Sequence, residues 1–356
     1  MTARKLAADY TEARARFLDA AQAAGARLTR HDHPDRGPAG EALATDVAVL
    51  GRPDAPARLL VISGTHGVEG FAGSACQVLM LRDRAPVPDD LAVVVVHAIN
   101  PYGFAWIRRV NEDNVDLNRN CVDFAAPPEN PGYDELAGVL VPPTWDDATL
   151  EAANGVLLEY AAAHGFDGLQ AAVSAGQYRH PEGIFYGGAH AVWSQRTLAA
   201  IGREHLAGAE RVAILDLHTG LGEYGASELI AGHPRSGGEE RLAAWYGEGG
   251  YAIPSTGDSV SADVQGDILD ALDSWLPGTD VTGVAIEWGT VDIVSVSNAL
   301  RADAWLHAYG DPRGSAAGPI KQQLLDAFAP ADPDWLHAVE DRFVEVRAAA
   351  VAGVTG

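Results

Sequence analysis

His66 and Glu69 stand three residues apart in the stretch Leu59 to Gly70, and a second histidine and a second glutamate, His218 and Glu287, recur later in similar settings. Each group follows a short apolar run and is itself followed closely by glycine: Gly67, Gly220 and Gly289. An imidazole and a carboxylate offered together suit a divalent metal, zinc above all, when a third ligand arrives from elsewhere. Two imidazoles and one carboxylate make a three-ligand set whose fourth position is open to water. A further carboxylate off the metal is what such a water needs as general base. A fourth polar cluster runs from Arg108 to Asn120 and carries Arg108, Arg109 and Arg119. In so acidic a chain, three guanidiniums this close create a local positive field. They bind carboxylates bidentately, so the loop is a candidate anion pocket.

These groups act together only if the chain brings them to one place. Leu59 to Ile62 reads as a buried strand and Phe71 to Leu81 as a helix, which puts His66 in the turn between them and Glu69 at the helix start. Leu91 to Val96 is a second apolar strand, too continuous to be one-faced, as expected in a mostly parallel sheet. It ends in His97, read as a core or supporting histidine because it still continues the strand. Arg211 to Leu215 delivers Asp216-Leu217-His218, and Val281 to Ile286 delivers Glu287. If these strands are parallel, their cargo gathers at the carboxyl edge, where open α/β sheets bind ligands.

Helices are expected over Ala7 to Ala24, Asp147 to Ala163, Val192 to Leu206, Val291 to His307, Pro319 to Phe328 and Asp334 to Ala352, with a strand at 44–50. His31, His33 and Asp35 are placed in a solvated turn, and 82–90 and 235–238 in loops. Residues from about 123 to 190 read as an insertion beside the sheet. With no internal repeat, low-complexity tract or linker, one domain over 1–356 is favoured: α/β, with a mixed, mostly parallel central sheet flanked by helices.

Composition narrows the function classes. A net charge of −24 disfavours nucleic acid and anionic membranes as partners. Hydrophobic content of 47 % supports a sizeable core, with no run near the roughly 18 apolar residues of a membrane span. Arg4, Lys5, Asp9, Glu12 and Arg14 replace the apolar stretch of a signal peptide, so cytoplasm is expected, with Cys76 and Cys121 as free thiols. Lys5 and Lys321 are the only lysines, which reads as coding bias. No Gly-x-Ser-x-Gly elbow supports a serine hydrolase.

The ordered series His66-x-x-Glu69, Asn100-Pro101-x-Gly103, Asp116-Leu117-Asn118-Arg119-Asn120, His218 and Glu287 resembles the zinc carboxypeptidase (M14) superfamily, which includes the aspartoacylase and succinylglutamate desuccinylase group. The fuller wording, Gly64-Thr65-His66-Gly67-Val68-Glu69-Gly70 with Asp216-Leu217-His218-Thr219-Gly220 and Glu287-Trp288-Gly289-Thr290, resembles its DUF2817 branch. The resemblance spans about residues 59 to 310. It implies a zinc-carboxypeptidase-like, phosphorylase/hydrolase-like fold and a zinc hydrolase holding one Zn2+ per chain on His66, Glu69 and His218, with Glu287 as base and then acid. Asn118 and Arg119 would hold a substrate carboxylate, Arg109 or Arg108 would polarise the scissile carbonyl, and Asp116 would orient the first histidine. The superfamily's mobile tyrosine has no clear match among Tyr178, Tyr186, Tyr224 and Tyr251.

The expected activity is cleavage of an amide bond in a small or peptide substrate with a free carboxylate, carboxypeptidase-like, or else N-acyl-amino-acid deacylation. A zinc-retaining binding domain is the non-enzyme alternative, which an intact Glu287 argues against. Self-association of the chain is compatible with either.

Overall fold

In the computed structural model, residues 5–83, 85–235 and 237–356 are described. The expected loops at 82–90 and 235–238 each include one residue outside that set, as does the amino-terminal reading at Arg4. Seven strands, β1 (Arg27–Arg36), β2 (Ala42–Gly51), β3 (Ala57–Ser63), β4 (Leu91–His97), β5 (Arg211–Tyr224), β6 (Ser227–Ile230) and β7 (Asp280–Gly289), form one sheet in the order β1-β2-β4-β3-β5-β7-β6. The central four, β4-β3-β5-β7, are parallel, while β1/β2, β2/β4 and β6/β7 are antiparallel.

β3 and β4 are buried at every residue, which is why both are apolar on both faces. Alternation of period two divides their side chains between two cores. Leu59, Val61, Val93 and Val95 pack under helices α1 (Tyr10–Ala23), α2 (Gly70–Arg82) and, toward the chain end, the long helix Pro333–Thr355. Leu60, Ile62, Val94 and Val96 face the opposite layer, formed by the helices Trp193–His205 and Ile268–Trp275. Each fully buried branched side chain contributes roughly 1.5–3 kcal/mol of transfer free energy. The strand positions are therefore strongly specified.

The first long helix starts at Asp9, whose side chain accepts from the Glu12 amide. A further apolar cluster gathers around Val68 at the carboxyl side of β3. It draws on α3 (Pro101–Ala105) only indirectly, through Ile107, and mainly on α4 (Pro131–Leu140), α5 (Asp147–Ser174) and the helices Ile293–Ala308 and Ala317–Phe328. Those elements form the walls above the sheet edge.

Three expectations are corrected. The helix predicted over Asp147 to Ala163 extends to Ser174: Gly165 leaves helical geometry at φ 80°, ψ 165°, and the helix then resumes. A glycine in the left-handed region is the usual helix stop, so the sequence pattern reads as an end. His31, His33 and Asp35 lie in β1, paired with β2, and not in a solvated turn. His33 is buried against Trp193 with its Nε2 3.3 Å from Glu112 Oε2. Finally, β5 runs well past Leu215, carrying His218 inside the strand. Cys76 and Cys121 are both free. Among the described residues, no helix is long and apolar enough to cross a membrane.

Candidate metal centre and its cavity

β3 ends at Ser63, and Gly64 turns the chain at φ +66°, a conformation that suits glycine. His66 follows, then a single 3-10 turn, Gly67–Glu69, from which α2 departs. Any side chain at Gly67 would collide with the backbone of Gly103, so α3 and this turn pack as closely as they do only because of glycine. The arginine loop is laid against the same turn by two backbone bonds, from Gly67 N to Arg109 O (3.0 Å) and from Val68 N to Arg108 O (2.8 Å). On the neighbouring strands, His218 of β5 stands directly opposite Glu287 of β7.

His66, Glu69 and His218 converge. His66 Nδ1 lies 3.0 Å from Glu69 Oε1, His218 Nδ1 lies 3.0 Å from Glu69 Oε2, and the two Nδ1 atoms are 3.1 Å apart. The far side of each ring faces an aspartate: His66 Nε2 is 3.3 Å from Asp116 Oδ1, and His218 Nε2 bonds Asp216 Oδ2. A carboxylate accepts, so each Nε2 is placed to donate outward, which frees each Nδ1 to give its lone pair to a metal ion. Two Nδ1 atoms and a carboxylate this close need positive charge between them, as protons or as a metal ion. Their spacing is close to the about 3.3 Å that tetrahedral ligands ~2.05 Å from zinc keep from one another. The donor set thus fits the metal that the sequence implies. All three residues are buried.

The charges reinforce this. Burial alone would raise Glu69, yet His66 and His218 hold its carboxyl below the usual range. Burial alone would lower His218, yet Asp216 and Glu69 hold it well above. The site favours positive charge. Glu287 behaves oppositely: burial, and then the Glu69 charge, push it up to about 8. Its Oε1 accepts from the Leu221 amide at 2.9 Å.

Asp116, fully buried, also receives Arg109 Nε at 3.0 Å, Arg119 Nη1 at 2.9 Å and the Asn118 amide at 3.0 Å. Arg109 reaches Glu69 Oε1 as well, at 3.2 Å from Nη1. Arg119 spends Nε and Nη2 on Ser174 O, so among its five N–H groups two remain for a ligand. The positive field expected of this loop is therefore largely met from within the protein, since each arginine has partners. Arg108 in particular stands apart. Its Nε donates to Asp303 at 2.9 Å and its Nη2 to Asn114 at 2.7 Å, and it borders a separate small crevice. Asp303 comes from a helix 195 residues away, which local sequence does not reveal.

A cavity of about 580 Å³ opens onto His66, His218, Glu287, Arg109, Asn118 and Arg119. Asn118 is half-buried, its Oδ1 accepting from Ile268 N at 3.3 Å. No tyrosine among the described residues lines this space. Tyr178 OH donates to Arg119 O and Tyr224 OH to Asp332, while Tyr186 is buried in the core and Tyr251 lies near Glu239. His97 does not approach the ligands; it bonds Ser74 Oγ at 2.9 Å and stacks on Phe17.

Two further residues shape the centre. Asp216 orients His218 from two positions earlier on the same strand face, a period-two relation visible in Asp216-Leu217-His218, and is itself held by Thr65 Oγ1 at 2.8 Å. Phe185 places its ring beneath both guanidiniums, 5.3 Å from Arg109 and 4.7 Å from Arg119. Nothing in the sequence around Phe185 marks that role.

Residues 6–342 match the family model described as "Protein of unknown function (DUF2817)". No curated protein matches the sequence. Among solved structures, the carboxypeptidase A from Helicoverpa armigera aligns with a TM-score of 0.53 at 13 % identity, covering 97 % of this chain and 73 % of that one. Thrombin activatable fibrinolysis inhibitor aligns at 0.50 and 11 %, covering 98 % and 74 %. The chain shares their fold.

Proposed function

Because the chain belongs to the DUF2817 family and has a carboxypeptidase fold, we propose that it is a zinc-dependent hydrolase that cleaves an amide bond in a small substrate bearing a free carboxylate. The observation that carries this reading is the meeting of two inward-facing imidazole nitrogens and a carboxylate within 3.1 Å, beside a second carboxylate held out of the set. His66, Glu69 and His218 would hold about one zinc per chain. Zinc bound there supplies Lewis acidity, bringing the pKa of water toward ~7 and polarising a carbonyl.

The chain's own groups supply the rest. Glu287 takes the proton of the attacking water and returns it to the leaving amine, a role suited to a carboxylate that stands opposite His218 on the next strand and lines the same cavity. Arg109, next to Glu69, adds positive charge where the carbonyl oxygen becomes anionic. Asn118 and the two uncommitted N–H groups of Arg119 receive the substrate carboxylate. Asp116 and Asp216 keep both imidazoles in the ligating tautomer. Arg108 is left out of this account because its donors serve Asp303 and Asn114. A deacylase version is favoured over a peptidase by the carbon lining that α5 and the helix Ile293–Ala308 give the cavity.

The test is Glu287→Gln. The variant should fold and keep its metal by elemental analysis while turnover of N-acyl amino acids falls roughly 10²- to 10⁴-fold. Turnover near the wild-type rate would make Glu287 structural and remove the mechanism.

A further inference from the structure

The four most exposed large apolar side chains of the described residues are Phe166 (75 %), Val294 (64 %), Leu158 (63 %) and Ile293 (57 %). All four line the cavity that reaches the metal-ligand set. Single exposed apolar residues are ordinary; the four largest exposures sharing one opening are not. Phe166 and Leu158 lie on α5, on either side of its break at Gly165, and Ile293 and Val294 open the helix Ile293–Ala308. Leu157, Leu169 and Val173 of α5, half-buried, and Val296 and Leu300, buried, line the same cavity. An apolar channel therefore runs from solvent to the reacting centre.

Polar side chains are few in those walls, and part of their capacity is already engaged. Asn154 and Asn298 accept from Arg301, Gln170 donates to Val260 O, and Ser174 donates to Gln170 O. A peptide lying there would bury more N–H and C=O groups than the remaining ends of Asn154, Asn298, Gln170 and Ser297 pair, at a cost of roughly 1–3 kcal/mol for each one left over. An alkyl chain needs no partner. The volume of about 580 Å³ lies within the ~300–1,000 Å³ of sites that enclose drug-sized ligands.

We propose that the substrate is an N-fatty-acyl amino acid, its alkyl chain lying in the channel between α5 and the helix Ile293–Ala308 and its carboxylate on Arg119. This rests on the hydrolase reading above. In the reaction the amide C–N bond breaks. Water's hydroxyl goes to the acyl carbon and its proton, through Glu287, to the departing nitrogen, which releases a fatty acid and an amino acid.

The experiment uses the acetyl, butanoyl, octanoyl and dodecanoyl derivatives of glycine. Their kcat/KM is measured on the zinc-loaded enzyme and their affinity for Glu287→Gln by calorimetry. Each added methylene within the channel should raise both by about two- to fourfold. The double variant Leu158→Asp, Phe166→Asp changes only exposed positions and should flatten both slopes. Rising affinity with no turnover of any member would sink the hydrolase reading and leave the channel's occupant standing. A flat series in both measurements overturns the proposal, as does a slope the aspartates leave unchanged. So does a flat series in a protein whose self-association, or flotation with phosphatidylcholine vesicles, the aspartates abolish. The rim would then serve a second copy or a lipid surface.

Discussion

Two histidines lie on apolar parallel strands in this molecule, and their fates differ. His97 ends β4 and His218 lies near the middle of the longer β5, and both are buried. Around His97 stand Phe17, stacked at 4.5 Å between ring centroids, Ser74 on Nε2, and the Arg14 charge; its Nδ1 has no partner. Around His218 stand two carboxylates, a second imidazole and an open cavity. Burial acts on both, yet it decides only the first. It pushes His97 down to about 3, whereas Asp216 and Glu69 overcome it at His218. What separates a core histidine from a candidate ligand is therefore the second partner of the ring, not the strand that delivers it.

The most direct way to break this comparison is to delete each ring. His218→Ala should lose most of the bound zinc and, with it, turnover by three or more orders of magnitude, since a His–Glu pair is left to hold the ion. His97→Gln should keep its zinc. Elemental analysis that found equal metal in wild type and His218→Ala, or equal loss in both variants, would erase the distinction.

A smaller effect sharpens it. Asp216→Asn removes the carboxylate behind His218 and leaves the ring in place, so zinc affinity should fall by about 10- to 100-fold. Asp116→Asn should act likewise through His66, with the added loss of its bonds from Arg109 and Arg119. A competition titration against a chelator reads both. Unchanged affinity in the Asp216 variant would mean that the ring is fixed by packing alone.

These partners also mark how much of the protein was legible in its sequence. The buried strands and their order of delivery were, because continuous Val, Ile and Leu runs have one stable use in a sheet covered on both faces. So were His66, Glu69, His218 and Glu287 as one cluster. Asp216 is readable too, from the alternation of a strand that puts it on the face of His218. What the sequence concealed depends on contacts between distant segments. Arg108 looks like Arg109 until Asp303 arrives from another helix. His33 looks solvated until Trp193 covers it. Gly165 looks like a helix end because the resumption of α5 depends on packing in the cluster around Val68.

Acid should separate the two histidines without any mutation at the candidate site. His97 titrates near 3 in the fold and near 6.5 when unfolded, so the unfolded chain binds more protons throughout that interval. Its contribution is complete above about pH 6.5 and is lost as pH falls toward 3, for a total of up to about 5 kcal/mol. His97→Gln cannot take up that proton. Its unfolding free energy should therefore depend less steeply on pH between 6.5 and 4 than that of wild type, in denaturant titrations of the metal-free protein. Parallel curves would show that His97 is not neutral by burial.

The smallest expected effect comes from the two phenylalanines beneath the contrasted groups. Phe17 lies flat against His97 and is fully buried; Phe185 is half-buried and carries Arg109 and Arg119 over its ring. Replacing either by leucine keeps the site apolar and removes the aromatic face. At Phe17 the loss is packing, of order 1 kcal/mol of stability, with kcat/KM unchanged. At Phe185 the loss is a surface that holds two like charges side by side without neutralising them. Cation–π contacts of this kind contribute about 0.5–2 kcal/mol, so kcat/KM for carboxylate-bearing substrates should fall roughly 2- to 30-fold. Phe185 also sits at φ 56°, where a branched residue is strained, and leucine avoids branching at Cβ. The informative control is the same substrate with its carboxylate amidated. If Phe185 acts through Arg119, amidation should cost wild type more than it costs Phe185→Leu. Equal costs in the two proteins would reduce Phe185 to a wall of the cavity, no different in kind from Phe17.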